Sequence, residues 1–169
     1  MGPKKKEKEE EKEQVGEFDN MDLDMLEKVA ENNDLDFVCG VNLLGNPVDF
    51  ERLSSICDEN NIIFVEDNCE GMFGQYGETF SGMSEASLCS SCSFYGNKII
   101  TTGEGGAFFT QDKEVYNFIK SVYSQGMSEI RYLHKVHAYN YRMTNIEAGF
   151  LYDQLNDIEN ILENKNKIF

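Results

Sequence analysis

The sequence predicts an α/β fold built on a mostly parallel sheet with helices packed against it. The order of segments is strand, helix, strand, and the strands are short, bounded, continuously apolar runs such as residues 61–65 (NIIFV). Strands of that kind belong to parallel sheets buried by helices rather than to meanders with one wet face. The chain has 169 residues, 40% of them hydrophobic and 12% aromatic, which suits one domain with a real core. No internal repeat is visible.

Taken in order, residues 22–31 read as a short helix, and residues 36–45 (DFVCGVNLLG) as a strand ending in glycine. Pro47 opens a helix running to about Glu59, with Phe50, Leu53 and Ile56 on one face. The strand at 61–65 follows, with the acidic cluster Glu66, Asp67 and Glu70 at its C-terminal end. Residues 71–82 are glycine-rich and read as a loop with short pieces of structure. Residues 88–95 and 106–110 are further strands, and residues 112–124 are helical. Thr144 caps a long helix from Asn145 toward the C-terminus, with Ile146, Phe150, Leu151, Leu155, Ile158 and Leu162 as its apolar stripe.

Charge removes several classes of partner. The net charge is −16. The first seventeen residues hold five lysines and six glutamates and so contribute −1, leaving −15 on the rest. Residues 1–17 read as a disordered charged tail. An acidic body argues against nonspecific binding to nucleic acid or to an anionic membrane, although a phosphate-bearing ligand needs only local donors. No apolar run is long enough to cross a bilayer, and the tail lacks the features of a targeting peptide. Five irregularly spaced cysteines, Cys39, Cys57, Cys69, Cys89 and Cys92, point to reduced thiols in a cytoplasmic protein.

The most informative stretch is residues 93–106, SFYGNKIITTGEGG. Lys98 stands at the end of an apolar strand-like run, before a loop of threonines and glycines. A lysine after a strand is ordinarily a surface lysine. One that is partly desolvated instead offers a free amine, the setting for imine formation with a carbonyl such as the aldehyde of pyridoxal phosphate. Ser93 and the Thr101–Gly105 loop supply nearby donors. In parallel sheets ligands bind beyond the C-terminal ends of strands, where Asp67 lies. Asp67 reads equally as a cap for the next turn or as a carboxylate that keeps a heterocycle nitrogen protonated. Cys89-x-x-Cys92 has no second pair to complete a zinc set and reads as a small apolar pair on a strand. His134 and His137 lack a metal-binding pattern, and Arg142 reads as a partner for carboxylates.

Four blocks, in this order, resemble the sugar aminotransferases of the DegT/DnrJ/EryC1/StrS family from about Phe18 to Phe169. They are residues 40–49 (GVNLLGNPVD), 65–70 (VEDNCE), 93–106, and the pair 131–134 (RYLH) and 139–146 (YNYRMTNI). The resemblance implies part of the three-layer α/β/α large domain of the aspartate-aminotransferase type, with pyridoxal 5'-phosphate as cofactor. It implies that Lys98 forms an imine with the cofactor and shuttles a proton, and that Asp67 holds the pyridine nitrogen protonated. Glu70 would lie near the phenolic oxygen and Ser93 would donate to the phosphate. Asn140 would reach the phosphate of the neighbouring subunit of a homodimer, and Arg131 and His134 would contact the sugar nucleotide.

Residues 96–106 look like the perosamine-synthase type, whereas residues 41–47 and 66–70 are similar to a branch that dehydrates keto-deoxy sugars and replaces the lysine with histidine. Lys98 therefore favours amino transfer from a donor such as glutamate to a 4-keto-6-deoxy sugar nucleotide, in deoxyamino-sugar or surface-polysaccharide biosynthesis. The chain is shorter than the family pattern. The region that supplies a phosphate-binding helix N-terminus and the small C-terminal domain are expected to be missing, so residues 18–169 would form a partial large domain. Three further readings stand beside the enzyme: a non-catalytic remnant, one subunit of a split enzyme, and a nucleotide-binding α/β domain that uses the loop of residues 103–106.

Overall fold

The computed structural model describes residues 20–168. The charged segment 1–17 lies outside the described residues. The architecture is α/β. A four-stranded sheet has the order β1 (Phe37–Val41), β2 (Ile63–Asp67), β5 (Cys89–Ser93), β6 (Gly106–Phe109), and β3 (Gln75–Tyr76) and β4 (Thr79–Phe80) make a small separate hairpin. β1, β2 and β5 run parallel and β6 is antiparallel to β5, so the sheet is mostly parallel.

The first two helices form where their caps allow. α1 (Leu23–Asn32) is capped by Asp22, whose Oδ1 accepts from the backbone N–H of Asp24 at 3.0 Å and of Met25 at 3.1 Å. α2 (Phe50–Asn60) starts three residues later than the proline suggests. Its cap is Asp49, which accepts from the Arg52 N–H at 2.9 Å, and Pro47 belongs to the approach. α2 ends at Asn61, in the left-handed region at φ 55°, a conformation asparagine tolerates better than most residues. Arg52 joins the two helices through Asp24 and Glu27 at 2.5 and 2.9 Å. This contact is open to water and largely screened; it holds the Asp24 carboxyl below its usual range.

Two strands differ from their sequence reading. β1 stops at Val41 rather than at the glycine. Asn42 turns into the interior, and the chain enters a 3-10 turn at Leu43–Gly45 with Leu44 at φ 53°. β2 begins and ends two residues later than the apolar run, so Glu66 and Asp67 are strand residues whose side chains point to opposite faces. β6 pairs with β5 closely because Gly106 has no side chain; a Cβ there would stand 2.6 Å from the Cys92 carbonyl oxygen.

The core lies on one face of the sheet. Val38, Phe64 and Ile62 meet Leu23, Leu26, Ala30, Val48, Leu53 and Ile56 of α1, α2 and the turn before α2. A second cluster, Cys92, Phe94 and Ile100, is covered by Met143, Leu151, Ile158 and Ile161. The predicted single C-terminal helix is in fact two, α4 (Asn145–Asn156) and α5 (Ile158–Asn166), broken at Asp157. The break rotates the stripe, so that Ile158 and Ile161 pack with Leu151, while Ile146 and Phe150 remain 74% and 62% exposed. Thr144 caps α4 in a reciprocal capping box with Glu147. The helix after β6, α3 (Lys113–Tyr123), is capped by Asp112. On the opposite face of the sheet Phe37, Val41, Ile63 and Phe108 are exposed among the described residues.

Leu53 is 0% exposed at the centre of the larger cluster. Leu53→Ala is expected to destabilise the fold by about 3 kcal/mol through lost transfer energy and a residual cavity, whereas Asp49→Ala costs about 1 kcal/mol through the lost cap. Denaturant unfolding of the two variants measures the difference.

Candidate functional site

The C-terminal end of β2 divides structure from chemistry. Glu66 points inward and is 3% exposed. Its carboxylate accepts from Asn42 Nδ2 at 3.2 Å, from the Gly82 N–H at 2.7 Å and from the Ser84 N–H at 3.3 Å. Asn42 Oδ1 accepts from the Val48 N–H at 3.0 Å and its Nδ2 also reaches Asn68 Oδ1 at 3.3 Å. Asn68 Nδ2 in turn donates to the Ser81 carbonyl at 3.0 Å, and the Ser81 hydroxyl donates to the Gly71 carbonyl. Gly71 is required by this packing, since a Cβ there would stand 2.3 Å from both Asn42 Cβ and Asn68 Oδ1. The loop 71–84 is thereby stitched to the ends of β1 and β2.

Asp67 points to the other face. Its Oδ1 accepts from the Cys69 N–H at 3.0 Å, and it lies beside Ser91 of β5 in the sheet register. The Cys69 sulfur is 3.7 Å from Ser91 Oγ. Burial, and next the Asp67 carboxylate, push the Cys69 thiol up; Ser91 and Lys98 act the other way. Cys69 therefore remains a neutral thiol at pH 7.

Lys98 is carried on a loop closed on Phe94. The Phe94 carbonyl accepts from the Thr102 N–H at 2.9 Å and from Thr101 Oγ1 at 2.8 Å, and the Phe94 N–H donates to the Gly105 carbonyl at 2.9 Å. The loop returns into β6, not into a helix, so the strand-loop-helix setting of a dinucleotide fingerprint is not formed here. The Lys98 side chain is 18% exposed and its Nζ stands 3.6 Å from Glu70 Oε1. A pocket of about 200 Å³ is lined by both residues with Ser93, Cys69, Met72 and Leu44. An amine, a carboxylate and a hydroxyl thus converge where β2 and β5 end, next to the strand position of Asp67.

The remaining candidates lie elsewhere. Asn140 lines a separate cavity with Arg142, Met143, Thr144 and Asn145. Arg131 is exposed, with its guanidinium carbon 4.8 Å from the centre of the Tyr132 ring. His134 Nδ1 lies 2.6 Å from the Gln125 carbonyl, so Nδ1 carries a proton and donates. Cys89 and Cys92 occupy opposite faces of β5, and all five cysteines are free. Sequence reasoning missed the inward role of Glu66 and Asn42 and the presence of Cys69 in the pocket. The alternation of Phe64 and Glu66 against Val65 and Asp67 was the available signal, hidden by placing the strand two residues early.

Comparison with known proteins gives a consistent picture. The model of the DegT/DnrJ/EryC1/StrS aminotransferase family matches residues 17–169. GDP-perosamine synthase of Escherichia coli O157:H7 is 35% identical over 153 residues, covering 88% of this chain and 40% of that protein. Among solved structures, Helicobacter pylori PseC, an aminotransferase involved in the biosynthesis of pseudoaminic acid, superposes with a TM-score of 0.73 at 28% identity, over 82% of this chain and 37% of that one. The E. coli GDP-4-keto-6-deoxy-D-mannose-3-dehydratase with bound hydrated PLP superposes with a TM-score of 0.75 at 25% identity, over 83% and 40%. The chain spans about two fifths of the length of these relatives. Among the described residues no helix is long and apolar enough to cross a membrane.

Two outcomes follow from the site's electrostatics. Glu66→Ala leaves one amide and two backbone N–H groups without their acceptor in the interior and is expected to cost about 3 kcal/mol or more, read by denaturant unfolding. Burial pushes the Cys92 thiol up to about 11. At pH 8 its alkylation is expected to run about two orders of magnitude slower than that of an unhindered thiol and to recover in urea, as followed by peptide mass spectrometry.

Proposed function

Since the chain belongs to the DegT/DnrJ/EryC1/StrS aminotransferase family, we propose that it carries the lysine-bearing part of a pyridoxal-phosphate-dependent aminotransferase acting on a 4-keto-6-deoxy sugar nucleotide. Residues 18–169 are then part of that enzyme's large domain. The observation that carries the reading is the convergence of Lys98, Glu70 and Ser93 on one pocket beside the strand end that bears Asp67.

The donor set fits the cofactor by its chemistry. Asp67 is the carboxylate for the ring nitrogen, Ser93 Oγ the donor for the phosphate, and Glu70 the polar neighbour of the phenolic oxygen. When bound, pyridoxal phosphate supplies an aldehyde and a protonated ring that withdraws electrons from the amino-bearing carbon. Lys98 would hold the cofactor through Nζ, and the same Nζ, when free, would take and return a proton. A histidine at this position could accept a proton but could not hold the aldehyde, so Lys98 favours amino transfer over the dehydration performed by a related branch. Glutamate is the expected amino donor.

Asn140, Arg131 and His134 stand apart from the Lys98 pocket. That separation suits a site shared between two copies, in which Asn140 serves the partner's cofactor phosphate and Arg131 and His134 meet the sugar nucleotide. The five free thiols suit a cytoplasmic setting.

The test is reductive trapping. The full chain is incubated with pyridoxal phosphate, treated with borohydride and digested for mass spectrometry. The cofactor adduct is expected on Lys98 well above its level on the exposed Lys113 and Lys120, and Lys98→Ala is expected to abolish that peak. An even spread of adduct over all lysines would overturn the reading.

A further inference from the structure

The loop that carries Lys98 is gripped by a side chain of α4, 53 residues from the backbone it binds. Gln154 Oε1 accepts from the Thr101 N–H at 2.9 Å, while its Nε2 donates to the Thr101 carbonyl at 2.7 Å. The second proton of Nε2 goes to the Phe150 carbonyl at 2.8 Å. Both N–H bonds and the oxygen of the amide are therefore used, and turning the amide over would set N–H against N–H and oxygen against oxygen. The amide brackets the Thr101 peptide as a neighbouring strand residue would.

Thr101 is a fixed point of the lysine loop. Its Oγ1 donates to the Phe94 carbonyl at 2.8 Å and accepts from the Gly103 N–H at 2.9 Å. The adjacent Ile100 is 1% exposed beneath α4 and α5. From Ile100 the chain runs back two residues to Lys98, whose amine stands 3.6 Å from Glu70 Oε1. α4 begins at Asn145, immediately after the segment that carries Asn140 and Arg142. One helix thus grips the lysine loop and continues from the second candidate surface.

We propose that Gln154 is a positioning residue for Lys98, fixing through the Thr101 peptide where the lysine amine stands in its pocket; the assignment rests on the reading of Lys98 as the cofactor-bearing lysine. Replacing Gln154 frees the Thr101 peptide on both edges, and the loop then shifts relative to Ser93 and Asp67. A misplacement of the order of 1 Å suffices to cost a reaction about a hundredfold.

The test compares the full wild-type chain with Gln154→Met, which keeps length and volume but loses every hydrogen bond, and with Gln154→Glu, which keeps the acceptor and loses both donors. Two readouts are taken by peptide mass spectrometry, each as a ratio of Lys98 to Lys113 and Lys120: borohydride trapping of pyridoxal phosphate, and trace acylation by dilute acetic anhydride, which involves no cofactor. Thermal unfolding is recorded alongside. In both variants the trapping ratio is expected to fall about tenfold and the acylation ratio to change by about threefold or more, with the unfolding midpoint within a few degrees of wild type. A purely structural role would lower the midpoint and leave the ratios alone. Wild-type ratios in the variants overturn the proposal, as does loss of folding in both. A wild-type chain that traps no cofactor at Lys98, while the variants still alter its acylation, removes the proposed function and leaves the positioning role standing.

Discussion

The carboxylate of Glu66 sits in the interior at the end of β2, and among the described residues it is met by N–H dipoles rather than by a cation. Burying a carboxylate costs several kcal/mol unless hydrogen bonds replace its water. Here they come from Asn42 at the end of β1 and from Gly82 and Ser84 in the following loop. The carboxylate is therefore stable only if two strand ends and a distant loop are all in place. That requirement sets where β1 stops, why Gly71 can carry no side chain, and how the loop 71–84 comes to wall the region beneath the lysine.

The same strand end provides the other half of the arrangement without additional structure. Alternation along β2 sends Glu66 inward and Asp67 outward, one residue apart. The inward residue holds the scaffold, and the outward residue stands on the face where Ser91 and Ser93 follow on β5. The lysine loop is fixed from the opposite side by Ile100 and by the amide of Gln154. The Lys98 loop is thus held by two anchors, one from the sheet through Phe94 and one from α4 through Thr101. Neither anchor touches the amine, which stands 3.6 Å from Glu70 Oε1.

Much of the fold was legible because its signals are local. Thr144 caps the helix expected of it, and Asp22 and Asp112, read as the first residues of helices, cap theirs through hydrogen bonds to the next turn. The bounded apolar runs marked the strands, and the glycine-rich stretch marked a loop. The misplacements have two causes. Pro47 looked like a helix start, but Asp49 offered the better acceptor. Residues 61 and 62 looked like strand, but the left-handed Asn61 ends α2 and the ladder begins at Ile63. The stripe on the last helix looked continuous, but the break at Asp157 gives Ile158 and Ile161 a better seat on Phe94 and Ile100. The first two yielded to a cap a few residues away, and the third to packing against residues far along the chain.

For the site, the sequence by itself singled out the candidate residues. Lys98, Asp67, Glu70 and Ser93 were identifiable from their types, their order and their family pattern, because an amine after a strand and a carboxylate at a strand end carry their chemistry wherever they are placed. Only the tertiary structure decided that Lys98, Glu70 and Ser93 share one pocket while Asn140, Arg131 and His134 lie elsewhere. It alone assigned Glu66 to the interior, Cys69 to the pocket wall and Gln154 to the lysine loop. The physical reason is that a hydrogen bond between residues 16, 24 or 53 positions apart leaves no periodic mark on the sequence. It exists only once the sheet has brought the two ends together.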